Sequence, residues 1–246
     1  MFIEPVWPAP KTIHAYTTLR SGGVSKKPFD QFNLAQHVGD DEGMVAANRE
    51  ILKNALQLPN EPIWIKQTHS TIAILATEKN TECEADASFT HEKNQICVVL
   101  TADCLPILVC NKQGTSVAAI HAGWRGLLNG VIESTLEAMK CDPEDLLIWL
   151  GPAISQAHFE VGDEVRAAFL EKDSEAHSAF IPSPNQRFMA DLYLLATQRL
   201  HKRGIQRIFG GNYCTYSDAN QFYSYRRDGS KTGRMASLIW IAQEPA

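Results

Sequence analysis

Three residues in this chain stand where they could do chemistry: His69, Cys104 and His121. Two imidazoles and a thiolate suit zinc, and three protein donors leave a fourth position open to water or substrate, the pattern of a catalytic rather than a structural metal site. A thiol beside an imidazole is equally a nucleophile beside its base. A plainer reading stands next to both. A histidine at a strand end is often a satisfied polar residue, and a cysteine in an apolar run is often core.

The surrounding pattern ties two of the three together. Within Cys97–Gly126, Val98–Leu100 and Leu105–Cys110 read as one apolar run and Thr115–Ile120 as the next. Asn111-Lys112-Gln113-Gly114 between them reads as a four-residue hairpin loop. Pairing Cys110 with Thr115 sets Cys104 opposite His121, roughly 5 Å apart at Cβ. Asp103 precedes the cysteine and Ala122-Gly123 follow the histidine, so both sit where a strand meets small or polar residues. This register is silent about His69.

The elements that must position these residues follow from periodicity and punctuation. Strands are predicted at Thr12–Thr18, Pro62–Gln67, Ile72–Leu75, Ala85–Phe89, Leu146–Leu150, Ile205–Phe209, Phe222–Tyr225 and Ser237–Ile241. Helices are predicted from Asp40-Asp41-Glu42 to about Leu56, over Gly123–Met139, Val161–Leu170 and Asp191–Arg203, the last stopped by Gly204. Val24–Gly39 reads as loop, and the Ser- and Pro-rich Ser174–Gln186 as the likeliest mobile segment. Strands outnumber helices and include adjacent hairpins. The expected fold is therefore α/β, a single domain over residues 1–246 built on mixed sheets.

Bulk properties narrow the class. The net charge of −5 argues against general binding to nucleic acid or an anionic membrane. No run of 18 apolar residues suits a membrane span, and the Pro-rich start with Glu4 is unlike a signal peptide. The expectation is a cytoplasmic monomer whose six cysteines are thiols or ligands. Cys97, Cys110 and Cys141 read as core or hairpin thiols. Cys214, in a polar turn, is closer to candidate chemistry. Arg125 begins a helix where an anion is favoured, and Arg226-Arg227 follow a predicted strand; either feature also suits a loop cross-link or a solvated face.

The motifs resemble the YfiH family, also called the laccase-domain or multicopper polyphenol oxidase-like family and treated as purine nucleoside phosphorylases. The matching segments are RSGGVS (Arg20–Ser25), NLAQHVGDD (Asn33–Asp41), NRE (Asn48–Glu50), TADCLPIL (Thr101–Leu108) and HAGWRG (His121–Gly126). GPAI (Gly151–Ile154), FEVG (Phe159–Gly162), CTY (Cys214–Tyr216), FYSYRRDG (Phe222–Gly229) and TGRMASLIW (Thr232–Trp240) continue them. The family's Gln-Val-His-Gly segment stands here as Gln67-Thr68-His69-Ser70. The resemblance implies sheets sandwiched between helices, similar to the catalytic domain of the cytotoxic necrotizing factor toxins. It implies that His69, Cys104 and His121 bind one zinc, with copper as the other metal. The implied substrates are phosphate with adenosine, inosine, guanosine or S-methyl-5′-thioadenosine, and adenosine deamination is implied beside phosphorolysis.

Phosphorolysis needs an anion pocket, and guanidiniums bind phosphate in a bidentate fashion. Arg20, Arg125 and Arg226 are the expected phosphate ligands. Asp103 either orients a metal ligand or caps a turn. Two other activities compete. Cys104 with His121 as its base would make a metal-free cysteine amidase, which the resemblance connects to editing of peptidoglycan precursors. A copper oxidase of phenols needs several copper centres and many histidines, whereas three convincing ligands are present.

Overall fold

The strands that carry Cys104 and His121 are apolar at nearly every position, and a strand of that kind must be covered on both faces. The computed structural model meets this demand with stacked layers. It describes residues 1–243, so the last three residues of the expected 1–246 domain lie outside the described residues.

Phe2–Ile3 (β1) and Ile13–Thr18 (β2) precede a wrapped loop and helix Glu42–Leu56 (α1). Asp41 caps α1 by accepting from the Met44 amide at 3.0 Å, satisfying one of the free N–H groups of the first turn. Ala73–Leu75 (β3), Ala87–Thr90 (β4), Ile96–Thr101 (β5), Leu105–Asn111 (β6) and Val117–Ala122 (β7) follow. Trp124–Asn129 (α2) and Val131–Met139 (α3) lead to Leu146–Leu150 (β8) and Glu160–Val161 (β9). Next come Asp163–Lys172 (α4), Phe180–Ser183 (β10), Arg187–Ala190 (β11) and Leu192–Lys202 (α5). Ile208–Gly210 (β12), the short helix Tyr225–Asp228 (α6) and Met235–Ile241 (β13) are last.

A six-stranded mixed sheet runs β12-β8-β6-β7-β4-β3, and a four-stranded antiparallel sheet runs β1-β2-β13-β5. A small sheet, β10-β11-β9, stands apart. Side-chain alternation assigns the layers. Leu108, Cys110, Val117, Ala119 and Trp149 face Cys97, Val99, Ile239 and Ile241 between the two large sheets. On the other side of the six-stranded sheet, Ile107, Val109, Ala118 and Ile120 pack under Leu127, Ile132, Leu136 and Leu195 of the helices. The outer face of the four-stranded sheet, Val98, Leu100, Leu238 and Trp240, receives Leu52 of α1 with Phe32 and Leu34. Cys97 and Cys110 are thus filling between sheets. Burial pushes each thiol up to about 12, which keeps both inert at neutral pH.

Five expectations change. Val98–Leu100 and Leu105–Cys110 are not one run: β5 and β6 belong to different sheets, and the chain crosses between them at Ala102-Asp103-Cys104, with Asp103 at φ 89°. Pro62–Gln67 makes only isolated bridges, Ile63 with Cys97 and Lys66 with Glu84; Pro62 has no N–H to give a ladder. The helix over 123–139 is two helices, because Gly130 takes φ 103°, a left-handed value that ends α2. Phe222–Tyr225 does not form a strand; Ser224 accepts from the Arg227 amide and starts α6 instead. Ser174–Gln186 is structured as a 3₁₀ turn over Ser174–Ala179 and the β10–β11 hairpin.

Candidate active site

Asp103 shapes the crossover that delivers Cys104. Its carboxylate accepts from Thr215 Oγ1 (2.6 Å), Ser224 Oγ (3.0 Å) and the Arg226 amide (2.6 Å). Three donors offset the cost of burying the charge and tie the crossover to α6. Cys104 follows at the mouth of β6. The hairpin register differs from the expected one: Pro106 pairs with His121 and Cys110 with Val117. Cys104 is thus a diagonal rather than a direct neighbour of His121. The position opposite Cys104 belongs to Gly123, where a Cβ would stand 3.0 Å from Cys104 Sγ and 2.8 Å from His69 Cδ2.

One buried carboxylate positions both histidines. Asp86, at the start of β4, is fully buried. Its Oδ1 takes His121 Nδ1 at 2.7 Å and the His69 amide at 3.0 Å. Its Oδ2 takes the amides of Thr68 (3.1 Å) and Ser70 (2.6 Å) and the Ser70 hydroxyl (2.7 Å). Three successive N–H groups wrapped on one anion hold His69 at φ 60°, a backbone conformation that bulky residues rarely adopt. Because Asp86 accepts from Nδ1, His121 turns Nε2 toward the thiol. Gln67 completes this loop: its amide exchanges two hydrogen bonds with the Leu100 backbone (2.8 and 2.7 Å) and so pairs with the end of β5 in place of a strand.

The result is a cluster in which donor atoms of His69, Cys104 and His121 all lie within 4.8 Å of one another. Cys104 Sγ is 3.9 Å from His69 Nε2. Burial alone would raise the Cys104 thiol, but the charge and hydrogen bond of His121, with those of His69, bring it down to about 6. His121 shifts the other way: burial disfavours its cation, yet Cys104 and Asp86 carry it to about 9. Asp86 is held at about 2, its burial outweighed by His121 and Ser70. These opposed shifts favour a thiolate beside an imidazolium, backed by the Asp86 carboxylate.

The cluster forms part of the lining of a cavity of about 450 Å³, a volume suited to a ligand of nucleoside size. Trp124, Phe159 and Tyr225 supply aromatic wall, and Arg125, Arg226, Arg234 and His37 supply polar wall. Arg226 stands over the Phe159 ring (5.4 Å) and donates to the Glu160 carbonyl at 3.0 Å. Arg125 is exposed and lies over its neighbour Trp124. Arg20 does not line this cavity. Its guanidinium donates to the carbonyls of Ala219 (2.9 Å) and Asp30 (3.1 Å) and braces the loop after β2. Cys214 lies outside the cavity lining, with Ser155 Oγ at 3.0 Å.

Sequence reasoning passed over Asp86, Gln67, Arg234 and the role of Gly123. Asp86 left little signal, an aspartate between two alanines and two residues after Glu84; only its burial marks it, since buried charges are paired or ligating. Arg234 stands in the TGRMASLIW segment, but nothing in its spacing tied it to the cavity, which it lines only once the chain has folded.

A family model described as multi-copper polyphenol oxidoreductase laccase matches residues 14–242. The chain is 48% identical over 241 residues to a Haemophilus influenzae protein named purine nucleoside phosphorylase, covering 97% of this chain and 98% of that one. It is 48% identical over 240 residues to purine nucleoside phosphorylase YfiH of Escherichia coli K12, with the same coverage. The crystal structure of Neisseria meningitidis protein NMB0706 superposes with a TM-score of 0.94 at 45% identity, over 98% of this chain and 99% of that one. Among the described residues no helix is long and apolar enough to cross a membrane.

Proposed function

The chain belongs to the YfiH-type family whose model is described as multi-copper polyphenol oxidoreductase laccase, and from that premise we propose that it is a metal-assisted purine nucleoside phosphorylase. The observation that carries the proposal is the convergence of His69, Cys104 and His121 on a cavity walled by arginines and aromatic rings. The relatives' names supply the substrate class, a purine nucleoside with phosphate; within it the reading takes adenosine, inosine, guanosine and S-methyl-5′-thioadenosine, with adenosine deamination as a second activity, from the family resemblance of the motifs.

The three residues fit a metal ion. A thiolate and two imidazoles are a donor set for zinc and, less selectively, for copper. Asp86 fixes the tautomer of His121 as a carboxylate behind a metal-bound histidine does. The bare Cα of Gly123 keeps the space between Cys104 and His69 clear. When bound, the ion supplies Lewis-acid polarisation at its open position.

The remaining work falls to the protein. Arg125 and Arg226 attract phosphate to the cavity and orient it toward C1′ of the ribose. A phosphate oxygen forms the bond to C1′ as the bond from C1′ to the purine nitrogen breaks, and the base leaves with the electron pair and takes up a proton. Trp124, Phe159 and Tyr225 offer apolar faces to the base and keep water from competing.

A second reading has its own support. Asp86, His121 and Cys104 form a carboxylate–imidazole–thiol chain with the thiol lowered to about 6, the arrangement of an activated cysteine nucleophile. It would act as an amidase, with peptidoglycan precursors as the substrate class. The phenol-oxidase reading lacks such support: among the described residues one three-donor His/Cys cluster is present, and multicopper oxidation needs several.

The test is metal analysis of purified protein together with base release from each nucleoside, with and without phosphate, for wild type and Cys104→Ala. Near one metal per chain and strictly phosphate-dependent release, both lost in the variant, support the phosphorylase. Metal-free protein inert on nucleosides, with amide hydrolysis that survives chelators and stops on alkylation, transfers the assignment to the amidase.

A further inference from the structure

Arg234 sits immediately before β13 on the cavity wall, and its guanidinium is fixed before any ligand arrives. Nη1 donates to the carbonyls of Thr232 (2.7 Å) and Gly233 (3.0 Å). The Arg234 amide donates to Asn33 Oδ1 at 3.0 Å. Asn33 is itself locked: its Nδ2 donates to the Ala35 carbonyl (3.0 Å) and to Asp40 Oδ2 (2.9 Å). Asn48, buried on α1, reaches into the same loop and donates to the Asn33 carbonyl at 2.8 Å. A buried polar network therefore runs from α1 through the wrapped loop to the backbone of Arg234, and the guanidinium is braced separately by the carbonyls of its own approach.

The contacts leave this guanidinium without a direct ion pair among the described residues. Arg234 is half-buried, and both of its guanidinium hydrogen bonds are to neutral carbonyls through a single nitrogen. No carboxylate pairs with it among the described residues. The nearest acid on the cavity wall, Asp103, has its oxygens engaged by Thr215, Ser224 and the Arg226 amide. The other cavity arginines differ: Arg125 is exposed, and Arg226 is tied to Glu160 and stacked on Phe159. The charges of Cys104 and Asp103 act on it only from a distance, and a guanidinium that keeps Nε and Nη2 free of hydrogen bonds beside a cavity presents the edge of the fork that binds oxyanions in a bidentate way.

We propose that Arg234 is the anchor of an oxyanion subsite on the inner wall of this cavity, the position at which inorganic phosphate is held. Arg125 and Arg226 then act from the mouth, drawing the anion in, while Arg234 fixes it. His37 lines the same cavity. The identity of the anion as a co-substrate rests on the phosphorylase reading; the existence of the subsite does not.

The experiment is calorimetric titration of the metal-loaded full chain with inorganic phosphate and, separately, with inosine, for wild type, Arg234→Gln and Arg234→Lys. Loss of one charge-assisted fork predicts about ten- to a hundredfold weaker phosphate binding in Arg234→Gln. Inosine affinity should be unchanged and part of the phosphate affinity restored in Arg234→Lys. Phosphate binding equal to wild type in Arg234→Gln overturns the proposal, as does inosine binding that falls in parallel. Should Arg234→Gln not fold, phenylglyoxal labelling of the wild type mapped by mass spectrometry decides: phosphate should protect Arg234, and protection confined to Arg125 and Arg226 overturns the subsite. The two readings fail separately. Phosphate held by Arg234 without nucleoside cleavage removes the phosphorylase and keeps the subsite; phosphorolysis with an unchanged phosphate KM in Arg234→Gln does the reverse.

Discussion

Asp86 Oδ1 lies 2.7 Å from His121 Nδ1 and, at 3.0 Å, also accepts the backbone N–H of His69, so a single carboxylate oxygen sets the ring of one histidine and the backbone of the other. Neither histidine can shift relative to its partner without breaking a hydrogen bond to a fully buried charge. Cys104 is placed by different means, through the crossover at Asp103. The cluster is therefore assembled from two independently anchored halves, and substitutions should separate them.

Asp86→Asn tests the first half. The amide keeps the shape but turns an N–H₂ toward donors, leaving buried groups unpaired, and about 3 kcal/mol of stability should be lost at pH 7. The pH dependence has a definite sign. Asp86 is held at about 2 in the folded chain, below its unfolded value of about 3.9. Its contribution of about 2 kcal/mol is present above pH 4 and disappears as pH falls toward 2. Denaturant titrations of metal-free protein between pH 2 and 7 should show a flatter acid limb in the variant. An acid limb identical to wild type would remove Asp86 from this role.

Cys104 should behave as a thiolate once the metal is withdrawn. With the thiol at about 6 and His121 at about 9, iodoacetamide should label Cys104 in chelator-treated protein with a midpoint near pH 6. Cys97 and Cys110 should stay unlabelled until the chain unfolds. In His121→Ala the larger counter-charge is gone and His69 alone opposes burial, so the midpoint should rise toward the ordinary thiol value of about 8.5. Metal-loaded protein should resist labelling across the range. Mass mapping of labelled peptides reads all of this in one experiment.

Gly123→Ala isolates the room that the metal needs. Gly123 has φ −67° and ψ 160°, a conformation open to alanine, so backbone strain is not at issue. Its new methyl would press on His69 Cδ2 at 2.8 Å and Cys104 Sγ at 3.0 Å. Metal content and activity should fall at least about tenfold, while stability falls by only about 1 kcal/mol. Metal stoichiometry beside a thermal melt checks both. A variant that holds a full complement of metal would show that the ion sits elsewhere.

Much of this was legible in the residue order, for reasons that can be named. Asp41 and Asp191 cap α1 and α5, and Gly204 at φ 81° follows the end of α5; capping is local chemistry and is read locally. The β6–β7 register was not legible. Asn111 curls its side chain over the loop, Oδ1 accepting from the Thr115 amide (2.8 Å) and the Ser116 amide (3.1 Å). The turn is therefore centred one residue further along, and the pairing moves by two. A displacement of two keeps every side chain on its face, so Cys104 and His121 still converge although they are not direct partners. His69 stood out as a histidine at a strand end, but its union with Cys104 and His121 came from a resemblance and not from pattern, because what brings it in is Asp86, a long-range partner with no periodicity to announce it. The passage of the chain from one sheet to the other at Asp103 was hidden for a like reason. Apolar residues on both sides look like one strand until the left-handed φ at Asp103 separates them.

Asp103→Asn tests the second half of the site. Asparagine tolerates positive φ, so the crossover itself should survive. An amide cannot accept from Thr215, Ser224 and the Arg226 amide as the carboxylate does, and about 2 kcal/mol of stability should be lost. The functional loss should fall on the wall and not on the metal cluster. Helix α6 is four residues long and depends on these bonds, so Arg226 and Tyr225 would lose their fixed positions while Asp86 still holds His69 and His121. The expected signature is a raised KM for nucleoside and phosphate with metal content near wild type, opposite to Gly123→Ala. Loss of metal in Asp103→Asn would mean that the two anchors are one unit, and that Cys104 is held to the histidines through Asp103 as firmly as they are held to each other.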